Sequence, residues 1–536
     1  MSQPANNDVA QTINRHFVAA FDETASSSEA RINSLYAFAE ALATHRFVLD
    51  DNSITLIVAK LEEFCSQHLA TLQAPQTFRL IKASHSIYNT GRRKAFRALL
   101  PHFFNAFDRY IATPGVDEEA VACLYDWIFA IAWQQMLEMQ PSSTEIKDRL
   151  IKPFNRYLSR NNAPTPTASP NASGRLRIAY LVHNLSVTGP YANGRNIYSF
   201  IKGHAANNAP DVDIFVYVYS HLEESLLKTL VACPQITLRH FTANSFVEKQ
   251  RQIQKAAKND GVDIVISEMY FSTSARLLSK QLAPIQMYMS MGFIPFELAQ
   301  VDYYLMFNSI FEKARKYGLN NETVLEIPYC LDENFLTRRY APQAIATERG
   351  KYPASQFVFG ALCRMEKVSE EYLQTIKAIL DRVPSSILII GGANDQTRIR
   401  AFLEVNGLSQ RVFLPGVVDP HLYGYFIDIF LETFPVGTGQ AAAEIMAKGV
   451  PVIKLNCDNL LPSELPLRDP ALLNATTGDY IAKVVALTQD RAALEQAKAN
   501  AKQIVARVSD IKGGAQVIES YCRKAKERRF GGQAPS

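Results

Sequence analysis

The sequence predicts an α/β protein in which an all-α region precedes two doubly wound lobes, each built on a parallel sheet. The first indication is that apolar residues from about 8 to 160 recur at helical spacing without a convincing strand. The second is a change of period after residue 174, where short β-branched runs alternate with helical stretches. The third is that this alternation occurs twice, over residues 175–345 and 346–528, which is typical of two Rossmann-like sheets.

The bulk composition is that of an ordinary globular protein. A chain of 536 residues is too long for one compact core, and about three or four domains are expected. A net charge of +4 gives no reason to expect nucleic acid or a membrane surface as a partner. No apolar run approaches the roughly 18 residues that a membrane-spanning helix needs, and the first residues lack the pattern of a secretory signal.

The seven cysteines are interpreted as free thiols. They are scattered, odd in number and not spaced as metal ligands. A reducing cytoplasm is therefore the expected location, with buried structural cysteine favoured over a redox or metal role. The seven are Cys65, Cys123, Cys233, Cys330, Cys363, Cys457 and Cys522.

The N-terminal region, residues 1–160, is predicted to be a helical module. No 34-residue self-similarity is strong enough to identify a tetratricopeptide array, so the type of module stays open. Residues 161–174 are predicted to be a linker, because proline and small polar residues leave nothing there to bury in a core. The helical segments are Ile32–Thr44, Ile54–Gln73, Arg93–Tyr110 and Glu118–Met139.

The first lobe, residues 175–345, is predicted from six strands with helices between them, for example Ser245–Asn259 and Ser272–Gln281. The strands read as continuous apolar runs, as expected when both faces of a sheet are covered. They are Leu176–Val182, Val212–Tyr219, Val262–Ser267, Ile285–Met291, Tyr303–Phe307 and Val324–Pro328.

The second lobe, residues 346–528, repeats the alternation and includes a last helical run from about Arg491 to Lys526. Residues 529–536 are predicted to be a disordered tail. Ligands are expected at the carboxyl ends of both sets of strands. The predicted strands are Phe357–Leu362, Ser386–Ile390, Val412–Leu414, Ile429–Glu432 and Val450–Leu455, and the helices include Glu370–Arg382, Thr397–Asn406 and Gly439–Lys448.

The stretch Ile429–Ile453 is the most informative about function. It reads as a strand, a turn of small residues, a helix and another strand. Small residues let a ligand approach the backbone, and free N–H groups at a helix start attract an anion. Glu444, one turn into the helix, is expected to accept hydrogen bonds from a ribose diol. An ordinary tight turn is the alternative, and the surrounding pattern makes it the weaker one. The turn residues are Gly437, Thr438, Gly439 and Gln440.

Arg364 and Lys367 follow the first strand of the second lobe, directly before a helix capped by Ser369. Their position places both cations at the mouth of the predicted cleft. A fixed cation there stabilises the charge that appears when a nucleoside diphosphate leaves. The alternative, solvated surface charge, is disfavoured by the position at a strand end.

The catalytic half resembles the O-GlcNAc transferase-like family, including the bacterial cytoplasmic protein N-glucosyltransferases that place a helical domain before a GT-B core. The resemblance covers about residues 175–505. It is carried in the first lobe by Leu176–Val182, Val262–Ile266, Ala283–Gln286 with Met291-Gly292, Val301–Tyr304 and Glu326–Cys330, and in the second by Phe357–Lys367 and Phe434–Ala441.

The resemblance implies a GT-B fold and a single inverting displacement of a hexose or N-acetylhexosamine from a UDP-sugar to a protein side chain. It implies diphosphate contact for Lys367 and ribose contact for Glu444. Two departures lie on the acceptor side: Gly189-Pro190 stands where the family has His-Pro, and Gly292-Phe-Ile-Pro295 lacks the family's second glycine.

Two histidines are further candidates. His183, after the first strand, is a candidate base for the acceptor, with a hydrogen-bonded structural histidine at least as well supported. His421, which opens a helix after Asp419-Pro420, lies where the family contacts the nucleotide base; a plain helix-start residue is the alternative. No Asp-x-Asp motif stands at a strand end, so a metal-free reaction without a cofactor is expected, with the UDP-sugar as co-substrate.

The sequence thus favours a cytoplasmic, bacterial glycosyltransferase with a polypeptide acceptor, which a groove between helices suits. Other readings stay open. Within enzymes these are a GT-B transferase acting on a lipid-linked or capsular saccharide, or a sugar-nucleotide epimerase, although no convincing pair of acidic residues faces the cleft. Outside enzymes, a scaffold that has lost activity is the alternative.

Overall fold

A computed structural model of the chain describes twelve stretches that fall into two compact units. The first unit combines residues 1–165 with 270–280 and 296–300, and the second contains the remainder. No helix within the described stretches is long and apolar enough to cross a bilayer. The described stretches are 3–21, 27–44, 51–88, 94–137, 143–161, 174–186, 192–268, 271–290, 300–307, 322–393, 396–456 and 469–530.

The N-terminal part of the first unit is helical throughout its described residues, as predicted. Its core is built from aromatic and aliphatic side chains such as Phe38, Phe103 and Ile128, all nearly inaccessible to solvent. The helices are α1 (Gln3–Phe21), α2 (Ser28–Thr44), α3 (Asp51–His68), α4 (Ala74–Tyr88), α5 (Leu100–Ala112), α6 (Glu118–Leu137), α7 (Ser143–Ile146) and α8 (Lys152–Asn161), with 3-10 turns at Leu69–Thr71 and Lys94–Leu99 and a π turn at Lys147–Ile151.

The first unit also contains α12 (Phe271–Leu278), which the sequence assigned to the first lobe. The reason is a polar contact with α6. The Ser272 backbone N–H and hydroxyl donate to the two carboxylate oxygens of Asp126 at 2.8 and 2.7 Å. Arg276, whose side chain is 3% exposed, pairs with Glu118 and Glu119 at 2.8 Å each. A strand–helix pattern in sequence does not reveal such a contact, because it depends on residues about 150 positions apart.

The first sheet of the second unit is seven-stranded and parallel, in the order β3-β2-β1-β4-β5-β6-β7. Six of its strands match predicted runs. The edge strand β3 was not predicted, because its five residues end in exposed Arg239 and His240 and lack a continuous apolar run. The strands are β1 (Leu176–Leu185), β2 (Val212–Leu222), β3 (Ile236–His240), β4 (Ile264–Glu268), β5 (Ile285–Ser290), β6 (Tyr303–Phe307) and β7 (Val324–Ile327).

The second sheet has six parallel strands in the order β10-β9-β8-β11-β12-β13. The two doubly wound parallel sheets that the sequence predicted are therefore confirmed. The strand missed here, β13, has only two residues and no periodicity to detect. The strands are β8 (Phe357–Leu362), β9 (Ser386–Gly391), β10 (Val412–Gly416), β11 (Ile429–Leu431), β12 (Val452–Leu455) and β13 (Leu473–Asn474).

Helices cover both sheets. Those in the described part of the second unit are α9 (Ala192–Asn207), α10 (Glu224–Val231), α11 (Phe246–Asn259), α13 (Pro342–Arg349), α14 (Glu370–Arg382), α15 (Thr397–Val405), α16 (Pro420–Tyr423), α17 (Gln440–Met446), α18 (Thr477–Gln489), α19 (Arg491–Val508) and α20 (Ile511–Phe530), with 3-10 turns at Glu333–Phe335, Met365–Lys367 and Pro470–Leu472.

The terminal helix α20 corrects the predicted lobe assignment. The sequence placed it with the second lobe, whereas it packs on α9 and the first sheet. A Cβ on Gly203 of α9 would lie 2.2 Å from the Ile511 carbonyl oxygen, so the two helices meet backbone to backbone. Glu519 accepts from His204 at 2.7 Å, and Lys526 pairs with Asp263 at 2.8 Å. An amphipathic helix shows which face is buried but not which sheet it covers.

Two predicted segments fall outside the described residues, namely most of the linker and the end of the tail. They are 162–173 and 531–536.

Candidate active site

The carboxyl ends of the neighbouring strands β8 and β11 bring together Lys367 and the turn at Gly437. After β8 the chain makes the 3-10 turn Met365–Lys367, and Ser369 then caps α14 by accepting from the Tyr372 N–H at 3.0 Å. The same Ser369 hydroxyl donates to the Phe434 carbonyl at 2.7 Å, which ties the two loops to each other. The Lys367 ammonium donates a hydrogen bond to the Gly437 carbonyl.

The turn itself depends on a glycine. Gly439 has φ +65° and ψ −115°, a backbone conformation that side chains disfavour, and it immediately precedes α17. Gln440 then opens α17 and is buried. The Nε2 of Gln440 makes no hydrogen bond to any residue that the structure describes. A buried amide donor that lacks a protein acceptor is costly unless a ligand supplies one.

Thr438 makes hydrogen bonds inside the protein. Its backbone N–H and its hydroxyl both donate to Oε1 of Glu432, the hydroxyl at 2.8 Å. Lys454 of β12 lies 3.3 Å from the other oxygen of Glu432, and both side chains are at most 6% exposed. These two donors of Thr438 therefore support the turn from inside the protein.

Lys367 lies half-buried, with Arg364 exposed beside it. Burial, and next the positive charge of Arg364, lower the pKa of the Lys367 ammonium from its ordinary value. An anion bound beside both cations reverses this effect, because it stabilises the charged form of Lys367. The pair is therefore arranged to gain from a negatively charged ligand.

Glu444 lies one turn into α17 and is 4% exposed. Its Oε1 accepts from Nη1 of Arg195, at 2.6 Å, and Arg195 belongs to α9 of the first lobe. Nε2 of His421 is 3.9 Å from the same oxygen. Burial raises the pKa of Glu444 to about 7, against the opposing effect of Arg195.

His421 lies in the first turn of α16, directly after its first residue Pro420, and its backbone N–H donates to the capping carboxylate of Asp419 at 2.8 Å. Its ring is buried, and burial lowers the pKa of His421 to about 4. The imidazole is therefore neutral near pH 7. Nδ1 of His421 finds no hydrogen-bond partner within the described part of the chain, so a ligand group is free to pair with it.

His183 lies inside β1 near its carboxyl end, because the strand continues to Leu185 rather than ending at Val182. The pairing of β1 with β2 shifts register between Val182 and Asn184, so His183 lies at an irregularity of the strand. The ring packs edge-on against Tyr219 with centroids 5.2 Å apart. Burial lowers the pKa of His183 to about 4.

Glu268, at the carboxyl end of β4, supports this edge of the first sheet. Its Oε1 accepts from the His183 backbone N–H at 2.7 Å. Burial raises the pKa of Glu268 to about 7, with the backbone N–H groups of His183 and Asn184 acting in the opposite direction.

Comparisons with known proteins find similar glycosyltransferases, although no family model matches the chain. Over 302 residues, 53% of its length, the chain is 23% identical to a probable UDP-N-acetylglucosamine–peptide N-acetylglucosaminyltransferase, SEC, of Arabidopsis thaliana. The chain spans about 30% of the length of that relative. An O-GlcNAc transferase mutant of Thermobaculum terrenum aligns with 99% of this chain and 100% of its own, at a TM-score of 0.58 and 16% identity.

The chain has the same GT-B fold as that solved structure. Another solved structure, Anabaena HepE in complex with UDP and glucose, covers 65% of the chain and 100% of its own length at a TM-score of 0.47 and 15% identity. The Arabidopsis relative and the Thermobaculum structure confirm the resemblance that the sequence motifs indicated, while the roles of individual residues stay predictions.

Several residues of this GT-B site were not predicted: Glu432, Lys454, Arg195 and Glu268. Glu432 and Glu268 had a detectable signal, since each is a carboxylate at the end of an apolar strand. Lys454 likewise interrupts the apolar strand Val452–Leu455. No sequence pattern indicated that Arg195 belongs to the site, because its partner Glu444 is 249 residues away.

The two motif departures on the acceptor side, at Gly189-Pro190 and Gly292–Pro295, lie outside the described residues, as does Met291. Among the residues with described positions, no group of three or more His, Cys, Asp or Glu side chains is arranged to hold a metal ion. Metal independence stays a prediction.

Proposed function

We propose that this protein is a glycosyltransferase that moves a hexose or N-acetylhexosamine from a UDP-sugar to an acceptor. One observation carries the proposal: β8 and β11 hold Lys367 against the Gly437 turn, next to a buried Gln440 amide without a described partner. Together they form a cationic, donor-rich edge at the carboxyl end of a parallel sheet, which is where such folds bind nucleotides.

The chemistry follows from charge. When the bond between the sugar and the β-phosphate breaks, the leaving diphosphate gains negative charge. Lys367, with Arg364 beside it, stabilises that charge, and Gln440 donates to a phosphate oxygen. These groups act mainly in the transition state, so they lower the barrier rather than only improving binding.

The nucleoside is assigned to Glu444 and His421. A buried carboxylate is a suitable acceptor for the two hydroxyls of a ribose, and the neutral ring of His421 offers Nδ1 to the nucleotide. Both residues lie in the lobe that carries Lys367, so the groups that contact the nucleoside and the diphosphate belong to the same lobe.

The acceptor is proposed to be a protein side chain, reached in a metal-independent, inverting displacement in the cytoplasm. The similarity to the Arabidopsis protein, a probable peptide N-acetylglucosaminyltransferase, supports a polypeptide acceptor. A helical unit ahead of the two lobes is compatible with this, since grooves between helices bind extended chains. His183, neutral at pH 7, is the proposed base.

The test is to incubate the full-length protein with UDP-glucose, UDP-galactose or UDP-N-acetylglucosamine and a bacterial protein extract, with EDTA present. Mass spectrometry is expected to find a sugar mass on a protein side chain, together with released UDP. Sugar transferred only to saccharide or lipid would overturn the polypeptide acceptor. Failure to bind UDP or to consume any UDP-sugar would overturn the transferase assignment in favour of a scaffold.

A further inference from the structure

The contact between Arg195 and Glu444 joins the two lobes at the nucleotide site. Arg195 lies near the start of α9, on the first lobe, whereas Glu444 lies in α17 of the second. Nη1 of Arg195 is 2.6 Å from Oε1 of Glu444, and the two side chains are 22% and 6% exposed. A carboxylate this buried is unfavourable when it is ionised and unpaired, and the charged hydrogen bond from Arg195 opposes that cost by favouring the ionised form of Glu444.

Arg195 is itself held by its surroundings. Its guanidinium lies over the ring of Phe335, 5.9 Å from the centroid, and that ring packs edge-on against Tyr198 at 5.7 Å. The Ser199 hydroxyl donates to the Arg195 carbonyl at 2.7 Å and accepts the N–H of Asp332 at 2.8 Å. The Ser199 contact fixes the backbone of Arg195, and the Phe335 ring restricts its planar side chain, which reduces the entropy lost when it pairs.

We propose that Arg195 is a positioning residue of the nucleotide site, which fixes the Glu444 carboxylate so that it accepts hydrogen bonds from the ribose hydroxyls. The inference rests on the proposed function and adds a first-lobe residue to a donor site otherwise built from the second lobe. An ionised carboxylate has about four acceptor positions, so Arg195 and a ribose diol bind to it together.

This arrangement has a consequence for the lobes. Because Arg195 reaches across from the first lobe, Glu444 is correctly oriented only when the lobes are in contact at this point. A nucleotide bound to Glu444 therefore favours the arrangement in which the Arg195 contact is made, and donor binding is coupled to lobe contact.

The experiment measures the affinity of the full-length protein for UDP and for 2′,3′-dideoxy-UDP by calorimetry. Arg195→Met is expected to weaken UDP binding roughly 10-fold or more, as for the loss of a charged hydrogen bond. The same variant is expected to bind 2′,3′-dideoxy-UDP as well as the wild type does, because that ligand offers Glu444 no hydroxyl. Arg195→Lys keeps the charge but lacks the planar guanidinium. Its affinity for UDP is expected to lie between those of wild type and Arg195→Met.

The matched control is Lys202→Met, on the same helix. Lys202 pairs with Asp332 at 2.5 Å, so its loss weakens the packing of α9 without touching Glu444. The affinity of Lys202→Met for UDP and for 2′,3′-dideoxy-UDP is expected to match that of the wild type. In Glu444→Gln, adding Arg195→Met is expected to cause little further loss of UDP affinity, because the two residues act as one unit.

The inference is overturned if Arg195→Met binds UDP and 2′,3′-dideoxy-UDP with equally reduced affinity. It is also overturned if neither Arg195 variant loses affinity for either ligand. Both results leave the proposed function intact. Wild-type protein that binds no UDP overturns the proposed function itself. Arg195→Lys keeps the test decisive should Arg195→Met fail to fold, since thermal melting identifies that case.

Discussion

Lys367 donates its hydrogen bond to the Gly437 carbonyl, so the cation from the end of β8 and the turn from the end of β11 are in direct contact. The two residues are 70 positions apart, and their meeting depends on the pairing of β8 with β11. An ammonium that makes one bond to a carbonyl keeps two further donors. Lys367 is therefore both fixed in place and able to bind a phosphate oxygen.

The first prediction concerns this lysine. Lys367→Ala is expected to lower kcat about 100-fold or more, because the leaving diphosphate loses a fixed cation whose effect is greatest in the transition state. The rate at which UDP is released from a UDP-sugar measures kcat. Lys377→Ala is the control, since Lys377 pairs with Asp381 on the nearby helix α14 and does not touch the turn. Unchanged turnover in Lys367→Ala would refute the assignment.

The second prediction concerns Glu432, which holds the turn through Thr438. Glu432→Gln leaves Lys454 buried without a counter-charge and is expected to lower the free energy of unfolding by about 3 kcal/mol. It is also expected to weaken UDP binding, because the carbonyl that fixes Lys367 belongs to the residue before Thr438. Urea denaturation and calorimetry measure the two effects.

The double variant Glu432→Gln/Lys454→Met separates these effects. Removing both charges is expected to restore most of the lost stability, because no unpaired charge stays buried. UDP affinity is expected to stay low, since Thr438 still lacks its carboxylate. Recovery of UDP affinity along with stability would show that Glu432 serves the fold and not the turn.

The sequence predicted the parts of this site that follow from local pattern. A strand end followed by basic residues gave Lys367, and a strand followed by small residues and a helix gave Gly437–Gln440. It did not predict that Thr438 uses its donors on Glu432, because a strand-end glutamate looks the same whether it binds a ligand or a backbone N–H.

Contacts distant in sequence account for the other differences. The packing of α20 on α9 depends on a close backbone approach at Gly203, and the place of α12 in the helical unit depends on Asp126 and Arg276. Periodicity shows that a helix has a buried face but gives no information about what covers that face.

The contact at α12 also changes what a truncation would report. Removing residues 1–160 takes away Asp126, Glu118 and Glu119, which leaves Arg276 without both of its carboxylates. Such a truncation is expected to be less stable for that reason alone. Substitutions within the helical unit are therefore a cleaner way to test its role in acceptor use.

The third prediction concerns His183 as the base. His183→Asn is expected to lower kcat by about 100-fold or more while UDP affinity stays within about twofold of wild type. Because the pKa of His183 is lowered to about 4, its protonation is expected to contribute no loss of rate between pH 8 and about 5. Initial rates across that range, at saturating donor, measure this. A wild-type rate loss centred near pH 6.5 that disappears in His183→Asn contradicts the burial described for this ring.

The fourth prediction concerns Asp126, which accepts two hydrogen bonds from Ser272. Burial raises the pKa of Asp126 to about 6, above the value of 3.8 for an ordinary aspartate. The native state therefore binds this proton more tightly than the unfolded state, and its contribution to stability is present below pH 4 and lost as the pH rises to about 6.

Asp126→Asn has no such proton. Between pH 4 and 7 wild type is expected to lose about 2 kcal/mol relative to this variant, as read from thermal melting of both proteins at each pH. Glu63→Gln, at an exposed carboxylate of the same helical unit, is the control and is expected to follow wild type. If the melting temperatures of wild type and Asp126→Asn change in parallel between pH 4 and 7, Asp126 is ionised over that whole range. In that case an ordinary charged hydrogen bond holds α12.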